Sequence, residues 1–312
     1  SRQPLLHLHL QEFQVRPFPY PQILLPTILR PWTDSYSPPP PLGSKIPFTH
    51  NHSPYSTHNH SVDMVSMDEL IPLTDFDKRL FPDISPEEKI NFILHSNSFE
   101  RIVMKYEEIE AQLLIPTKIK PAVKGQQRAL DWIIELASNP DLLPPASSIT
   151  PANFDKKFNW FVYLHRNLLF DFAKEGEKLL NAIDYPSISE LGFYRTDDKK
   201  VGDRLMPPPD QIKPLLTQAF KEFCAVHDKY KDNLSNPRML ELQDWKILER
   251  AAHTLCLRIC CIKPFNDGSN RIARLVENLV RLNTGLRFKI TTDKNDFLKE
   301  VQELQDRDYK FT

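Results

Sequence analysis

From Lys246 to Gly285 the chain places its apolar residues at a helical spacing, twice. Ile247, Leu248, Ala251, Ala252, Leu255, Cys256, Ile259, Cys260 and Ile262 form a face that widens until the segment is apolar nearly all round, which predicts a central helix buried on most sides. The period resumes at Ile272, Leu275, Val276 and Leu279 and closes at Gly285, a residue free to take the left-handed conformation that ends a helix. Two buried helices thus bracket one polar loop at 264–271. Upstream, Ser85, Pro86, Glu87 and Glu88 mark a helix start, with an N-cap, proline at the first position and acids in the first turn, ahead of Ile90, Phe92, Ile93 and Leu94. A following helix is expected to carry 96–101 and to continue through Ile102, Val103 and Tyr106. Leu130, Ile133, Ile134 and Ala137 share a face over 126–137, prolines punctuate 139–151, and Thr150-Pro151 opens a helix extended by the apolar run 160–172. A short hairpin at 191–207, a helix over 209–230 and a charged helix over 293–306 complete a fold class that is all-α apart from the hairpin.

Composition changes this picture mainly at the amino-terminal end. Of 312 residues, 40% are hydrophobic, which supports one large or two modest cores. A net charge of -1 argues against bulk attraction to nucleic acid or to a membrane surface. Twelve of the 28 prolines fall in residues 1–61, which have no sustained period and hold six of the ten histidines, so this stretch is expected to be disordered. Its His50, His52, His58 and His60 are a metal cluster only by composition and read better as incidental. The resulting division is a Pro/His-rich tail at 1–66, an amino-terminal helical region at 67–150 and a core domain at 151–312. No apolar run is long enough to span a bilayer, so neither a membrane helix nor an ordinary signal peptide is expected. Cys224, Cys256, Cys260 and Cys261 show no disulfide framework, which points to the cytoplasm. His253, Cys256 and Cys260 lie on one helix face, but a single straight helix cannot wrap four ligands around a zinc ion, so they read as core residues.

The loop is where chemistry concentrates. Gly268 and Ser269 stand immediately before the second helix, whose first-turn N–H groups and dipole favour an anion. Arg271 and Arg274, three apart, share a face and can both fork onto phosphate oxygens. Asp267 has two readings: a magnesium ligand working together with bound phosphates, or a capped turn in which the carboxylate pairs with an arginine.

The segment resembles the signature of the Fic family, His-Pro-Phe-x-Asp/Glu-Gly-Asn-Gly-Arg-x-x-Arg followed by Leu and Asn. Pro264, Phe265, Asp267, Gly268, Arg271, Arg274, Leu275 and Asn278 match it, whereas Lys263 replaces the His, Ser269 the Asn and Asn270 the second Gly. Gly192, Phe193, Tyr194, Arg195, Val201, Pro207 and Pro208 are similar to the family's hairpin flap, which here opens at Leu191 and closes at Pro207. Ser96, Asn97, Ser98, Phe99, Glu100 and Arg101 are similar to its inhibitory motif Ser/Thr-x-x-x-Glu-Gly/Asn, with Arg101 at the Gly/Asn position. The resemblance covers about 90–297. It implies a Fic-type helical bundle that moves AMP from ATP, bound with Mg, to hydroxyls of an unidentified target protein docked at the flap. It further implies that Gly268, Ser269, Asn270, Arg271 and Arg274 hold the nucleotide, that Asp267 holds the metal, that Phe297 contacts adenine, and that Glu100 reaches Arg274 and occupies the place of the terminal phosphate. A homodimer is compatible with it.

Lys263 decides what the resemblance means for activity. The family's His removes a proton from the attacking hydroxyl, and lysine, starting near pKa ~10.4, would have to fall by roughly three units, about 4 to 5 kcal/mol, to do so near neutrality. Bound phosphates push the other way. Lys263 is therefore expected to be charged and to bind phosphate, and Asn270 adds a side chain where backbone approaches the anion. The reading is a nucleotide site with impaired protein adenylyl transfer. Two alternatives stay open: a working transferase with another base or another phosphate compound, and a non-catalytic remnant or interaction module.

Overall fold

A computed structural model describes residues 84–115, 119–179, 185–234 and 240–311. The expected tail at 1–66 and the following residues to 83 lie outside them. Among the described residues the helices are α1 (Pro86–Phe99), α2 (Tyr106–Leu114), α3 (Pro121–Leu136), α4 (Phe154–Lys157), α5 (Asn159–Glu177), α6 (Pro209–Leu234), α7 (Leu242–Ile262), α8 (Ser269–Thr284) and α9 (Lys294–Asp308). Strands β1 (Lys200–Val201) and β2 (Arg204–Leu205) pair antiparallel around Gly202 and Asp203, with Lys200 opposite Leu205. The fold is all-α apart from this hairpin. No described helix is long and apolar enough to cross a membrane.

Local chemistry sets the boundaries. The Ser85 hydroxyl accepts the Glu88 N–H at 3.1 Å while Glu88 accepts the Ser85 N–H at 2.9 Å, a reciprocal cap that starts α1 where the sequence marks it. The helix ends sooner than the apolar pattern suggests. The Arg101 N–H reaches the Ser98 carbonyl and the Ile102 N–H reaches the Asn97 carbonyl at 3.0 Å, with Arg101 at φ 61°, which is the geometry of a Schellman stop. The expected second helix over 96–106 is therefore corrected: 96–99 close α1, Ile102 to Lys105 are not helical, and Tyr106 begins α2. Helix α3 starts at Pro121, five residues before the expected 126, because proline suits a first turn whose N–H groups have no helical partner. Thr150 and Asn153 exchange side-chain bonds in a turn, so helical structure after Pro151 begins only at Phe154.

Helix α8, more than α7, is the centre. Every residue from Arg271 to Thr284 is buried, polar ones included. Helices α3 and α7 pack along α8, with α5 and α6 outside them, and the hydrophobic cluster draws on Phe92 and Phe99 of α1, Leu130 and Ile133 of α3, Phe161 and Leu168 of α5, Phe220 of α6 and Phe297 of α9. Residues on both sides of 150 share this cluster. Helices α3 and α5 meet closely at Gly125, where a Cβ would stand 2.0 Å from the Leu168 carbonyl oxygen. Around Phe220, the rings of Phe154, Phe158, Trp160 and Phe161 lie within 4.7 to 5.9 Å, and Phe161 contacts Phe265, which anchors the polar loop to the core.

Candidate functional site: an anion loop at the amino terminus of a buried helix

The loop joining α7 to α8 is built from two left-handed residues. Lys263, at φ 51° and ψ 61°, stops α7 with its N–H on the Ile259 carbonyl at 3.0 Å. Gly268, at φ 78°, is the N-cap of α8. The Ser269 hydroxyl accepts the Phe265 N–H at 3.0 Å and donates to the Phe265 carbonyl at 3.1 Å, so it closes the loop on itself and its side chain is turned away from any ligand. The first-turn N–H groups of α8 point out of the helix with no intrahelical partner, the arrangement that favours an anion. Asp267 accepts the Gly268 N–H at 2.7 Å and pairs with Arg271 at 3.3 Å, the capped-turn geometry of the two readings its sequence position allowed.

Both arginines are buried at 3% exposure, and both keep donors without a partner: Nε of Arg271, and Nε and Nη1 of Arg274. Burial pushes the Arg274 guanidinium down from its usual range, partly offset by Glu100. The Arg274 guanidinium lies 4.4 Å from the Phe99 ring centroid and 5.9 Å from that of Phe297. Its Nη2 donates to the Ser96 carbonyl at 3.1 Å and to the Ser96 hydroxyl at 3.3 Å. Glu100 stands 3.7 Å from the same nitrogen, an ion pair longer than a hydrogen bond, and its Oε1 has no hydrogen-bond partner. The main hold of α1 on Arg274 is thus Ser96, which is itself bonded by Gln126 of α3 at 2.9 Å.

The Lys263 ammonium donates to Asn270 Oδ1 in the first turn of α8. Burial lowers its pKa from the ordinary lysine value; Cys260 and Glu100 pull it back up, and Arg274 lowers it further. The flap reaches the loop through two cations. Arg195, 2% exposed, donates from Nε to the Lys263 carbonyl at 2.6 Å and from its other nitrogens to the carbonyls of Asp197, Pro207 and Ile262. Lys199 donates to the Asn266 carbonyl, and burial, then the nearby Lys263, lower its pKa. On the other side His165 of α5 stacks on Phe265 with centroids 3.9 Å apart. Its Nδ1 accepts the Gly192 N–H, so Nε2 carries the proton and donates to the Asp267 carbonyl at 2.9 Å. Burial pushes its pKa down to about 4, which keeps it neutral.

The Fic/DOC family model matches residues 157–280, a span that runs from α5 through the loop and most of α8. Over that span the chain is similar to the Fic/DOC family. Its fold is similar to that of a Fic domain containing signaling protein from Bacteroides thetaiotaomicron, at 19% identity over 76% of this chain and 78% of that chain, with a TM-score of 0.45. It is also similar to Fic-1 from C. elegans, at 17% identity over 78% of this chain and 62% of that chain, with a TM-score of 0.44. No curated protein matches the sequence.

Within the matched span the sequence-marked residues Lys263, Asp267, Gly268, Ser269, Asn270, Arg271 and Arg274 lie in one loop and helix start, and Glu100, outside that span, is brought to them from α1. Phe297 comes close to Arg274 but is 2% exposed and packed edge-on against Phe99 at 5.5 Å, so an adenine stacking on it would have to displace that ring. Ser96, His165, Arg195 and Lys199 escaped the sequence reading as site residues. Ser96 and Arg195 carried a signal, as parts of the inhibitory-motif and flap matches; His165 and Lys199 act through backbone acceptors that no side-chain spacing reveals. The described residues contain no group of three His, Cys, Asp or Glu that could hold a metal by themselves. Asp267 alone, half exposed beside the anion loop, suits a magnesium ion that takes most of its ligands from phosphate and water. Cys256, Cys260 and Cys261 are buried in α7, and His253, half-buried rather than in the core, bridges Glu277 at 3.2 Å and Glu300 at 2.9 Å.

Proposed function

We propose that this Fic domain binds the phosphates of a nucleoside triphosphate, ATP with Mg, at the start of α8, and that its transfer of AMP to protein hydroxyls is impaired. The observation that carries the reading is the pair of buried guanidiniums with unpartnered N–H donors, Arg271 Nε and Arg274 Nε and Nη1, beside an open helix start. Buried donors without acceptors are costly, and phosphate oxygens would satisfy them with charge-assisted bonds. Asp267 would hold the magnesium, which would shield phosphate charge. Lys263 in place of the family's His removes the ring nitrogen that would take a proton from a target hydroxyl, and its hydrogen bond to Asn270 directs the amine to the phosphate side of the loop. Glu100 and Ser96 hold Arg274 from the α1 side, which makes α1 the inhibitory element of the site, and the flap at 191–207 is where a target segment would dock. Calorimetry with ATP, with and without magnesium, tests this: binding that requires magnesium and is lost in Arg271→Ala is expected, and no binding by the wild type overturns it.

A further inference from the structure

We propose that Lys263 is itself an acceptor: its ε-amine attacks the α-phosphorus of the bound nucleoside triphosphate, so the domain labels its own loop with AMP through a phosphoramidate bond. This rests on the nucleotide-binding reading above. The new bond joins Nζ to the α-phosphorus. The ammonium first gives one proton to water, because only the neutral amine has the lone pair that forms this bond. The bond broken is that between the α-phosphorus and the oxygen bridging to the β-phosphate; pyrophosphate leaves with the electron pair and a second amine proton passes to water.

The placement of the amine carries the argument. The main chain of Lys263 is fixed on both sides, its N–H by Ile259 and its carbonyl by Arg195, in a left-handed conformation that a lysine adopts only at a cost. That conformation turns the side chain onto α8, where Nζ meets Asn270, the second residue of the helix whose free N–H groups would hold the anion. A nucleophile held at the lip of a phosphate site is converted from a bimolecular to an intramolecular reactant. Nothing else in the loop competes: the Ser269 hydroxyl is committed to Phe265 in both directions, and Asp267 is held by Gly268 and Arg271.

The surroundings also suit an amine that reacts. Lysines become nucleophilic when dehydrated or set beside other cations. Lys263 is half-buried, and Arg274 and Lys199 stand close enough for Arg274 to lower its pKa and for Lys263 to lower that of Lys199. With Arg271, Arg274 and magnesium opposite the phosphates, the amine is the cation that the bound ligand needs least. The free amine that the attack needs is the minor form near neutrality, so the labelling is slow there and quickens as pH rises.

The test incubates the full chain with magnesium and ATP, then maps peptides by mass spectrometry. The expected result is an AMP-sized increment on the peptide containing Lys263. It should be lost in mild acid but kept in alkali, as P–N bonds are, and form faster as pH rises. It should be absent in Lys263→Arg and stronger in Glu100→Gly, where the contact with Arg274 is removed. Nucleotide binding by calorimetry without any adduct in either background overturns the self-labelling and leaves the binding reading intact. An adduct of phosphoryl size, or one placed on Ser, Thr, Tyr or another lysine, overturns it as well. Absence of nucleotide binding overturns both readings.

Discussion

Glu100→Gln isolates the electrostatic part of the α1 contact with Arg274. At 3.7 Å the pair has a Coulomb energy of about 4 kcal/mol at an effective dielectric of ~20. Desolvation and side-chain ordering take back most of it, which leaves roughly 1 kcal/mol for a pair that is not hydrogen-bonded. The glutamine keeps the shape of the helix end but removes the charge, and the two Ser96 contacts to Arg274 remain, so α1 should stay docked. We therefore predict that Glu100→Gln tightens MgATP binding by roughly threefold to tenfold, about 0.7 to 1.4 kcal/mol, and no more. Titration calorimetry on the wild type and the variant, with Arg274→Ala as the non-binding control, measures it. Unchanged or weaker affinity in Glu100→Gln would refute the claim that this carboxylate competes with phosphate. A gain far above tenfold would instead mean that Glu100, rather than Ser96, holds the helix.

Further predictions concern strain and pH. Arg101→Gly should raise stability by up to about 1 kcal/mol in a denaturant titration, because glycine adopts φ 61° without the penalty of a side chain, although its freer unfolded chain returns part of the gain. Gly268→Ala should cost about 1 to 2 kcal/mol, since its φ is 78° and the new Cβ would sit 3.1 Å from Leu169; an unchanged melting temperature would contradict this. His165, with its pKa depressed from 6.5 to about 4 by burial, contributes stability that is complete above pH 6.5 and is lost as pH falls toward 4. In His165→Asn that acid-side slope should flatten. His253 is opposite in sign: burial, the largest single effect, lowers its pKa, but the bond to Glu277, that carboxylate's charge and the bond to Glu300 together outweigh this and raise it above 6.5. Its contribution is full below pH 6.5 and fades as pH climbs through the raised value, so His253→Gln should differ most from the wild type in mild acid.

What the sequence disclosed follows from how each feature is encoded. The core pair 246–285, the cap at Ser85 and the helix after Pro209 rest on apolar period and cap chemistry, which are local and visible in one dimension. The early end of α1 was hidden because its stop residue is Arg101, where a glycine would have announced the turn. The position is left-handed, a conformation that Gly and Asn take more readily than Arg. The polar loop was legible as residue types at a fixed spacing, yet the inward turn of the Ser269 hydroxyl was not, because its partners are the backbone atoms of Phe265. His165 and Lys199 bind carbonyls more than 60 residues away, and a single sequence carries no trace of such a pairing.

The guanidinium of Arg195 has a kinetic consequence. Four backbone carbonyls, two at the end of α7 and two in the flap, depend on that one side chain, and the Arg195 N–H adds a bond to Pro264. The root of the flap cannot acquire its hydrogen bonds until α7 has formed its carboxyl end, nor can it lose them without uncapping that end. Flap root and loop therefore belong to one cooperative opening unit and should exchange their amide hydrogens together, while the two-residue strands beyond Lys199 are free to open on their own at much lower cost.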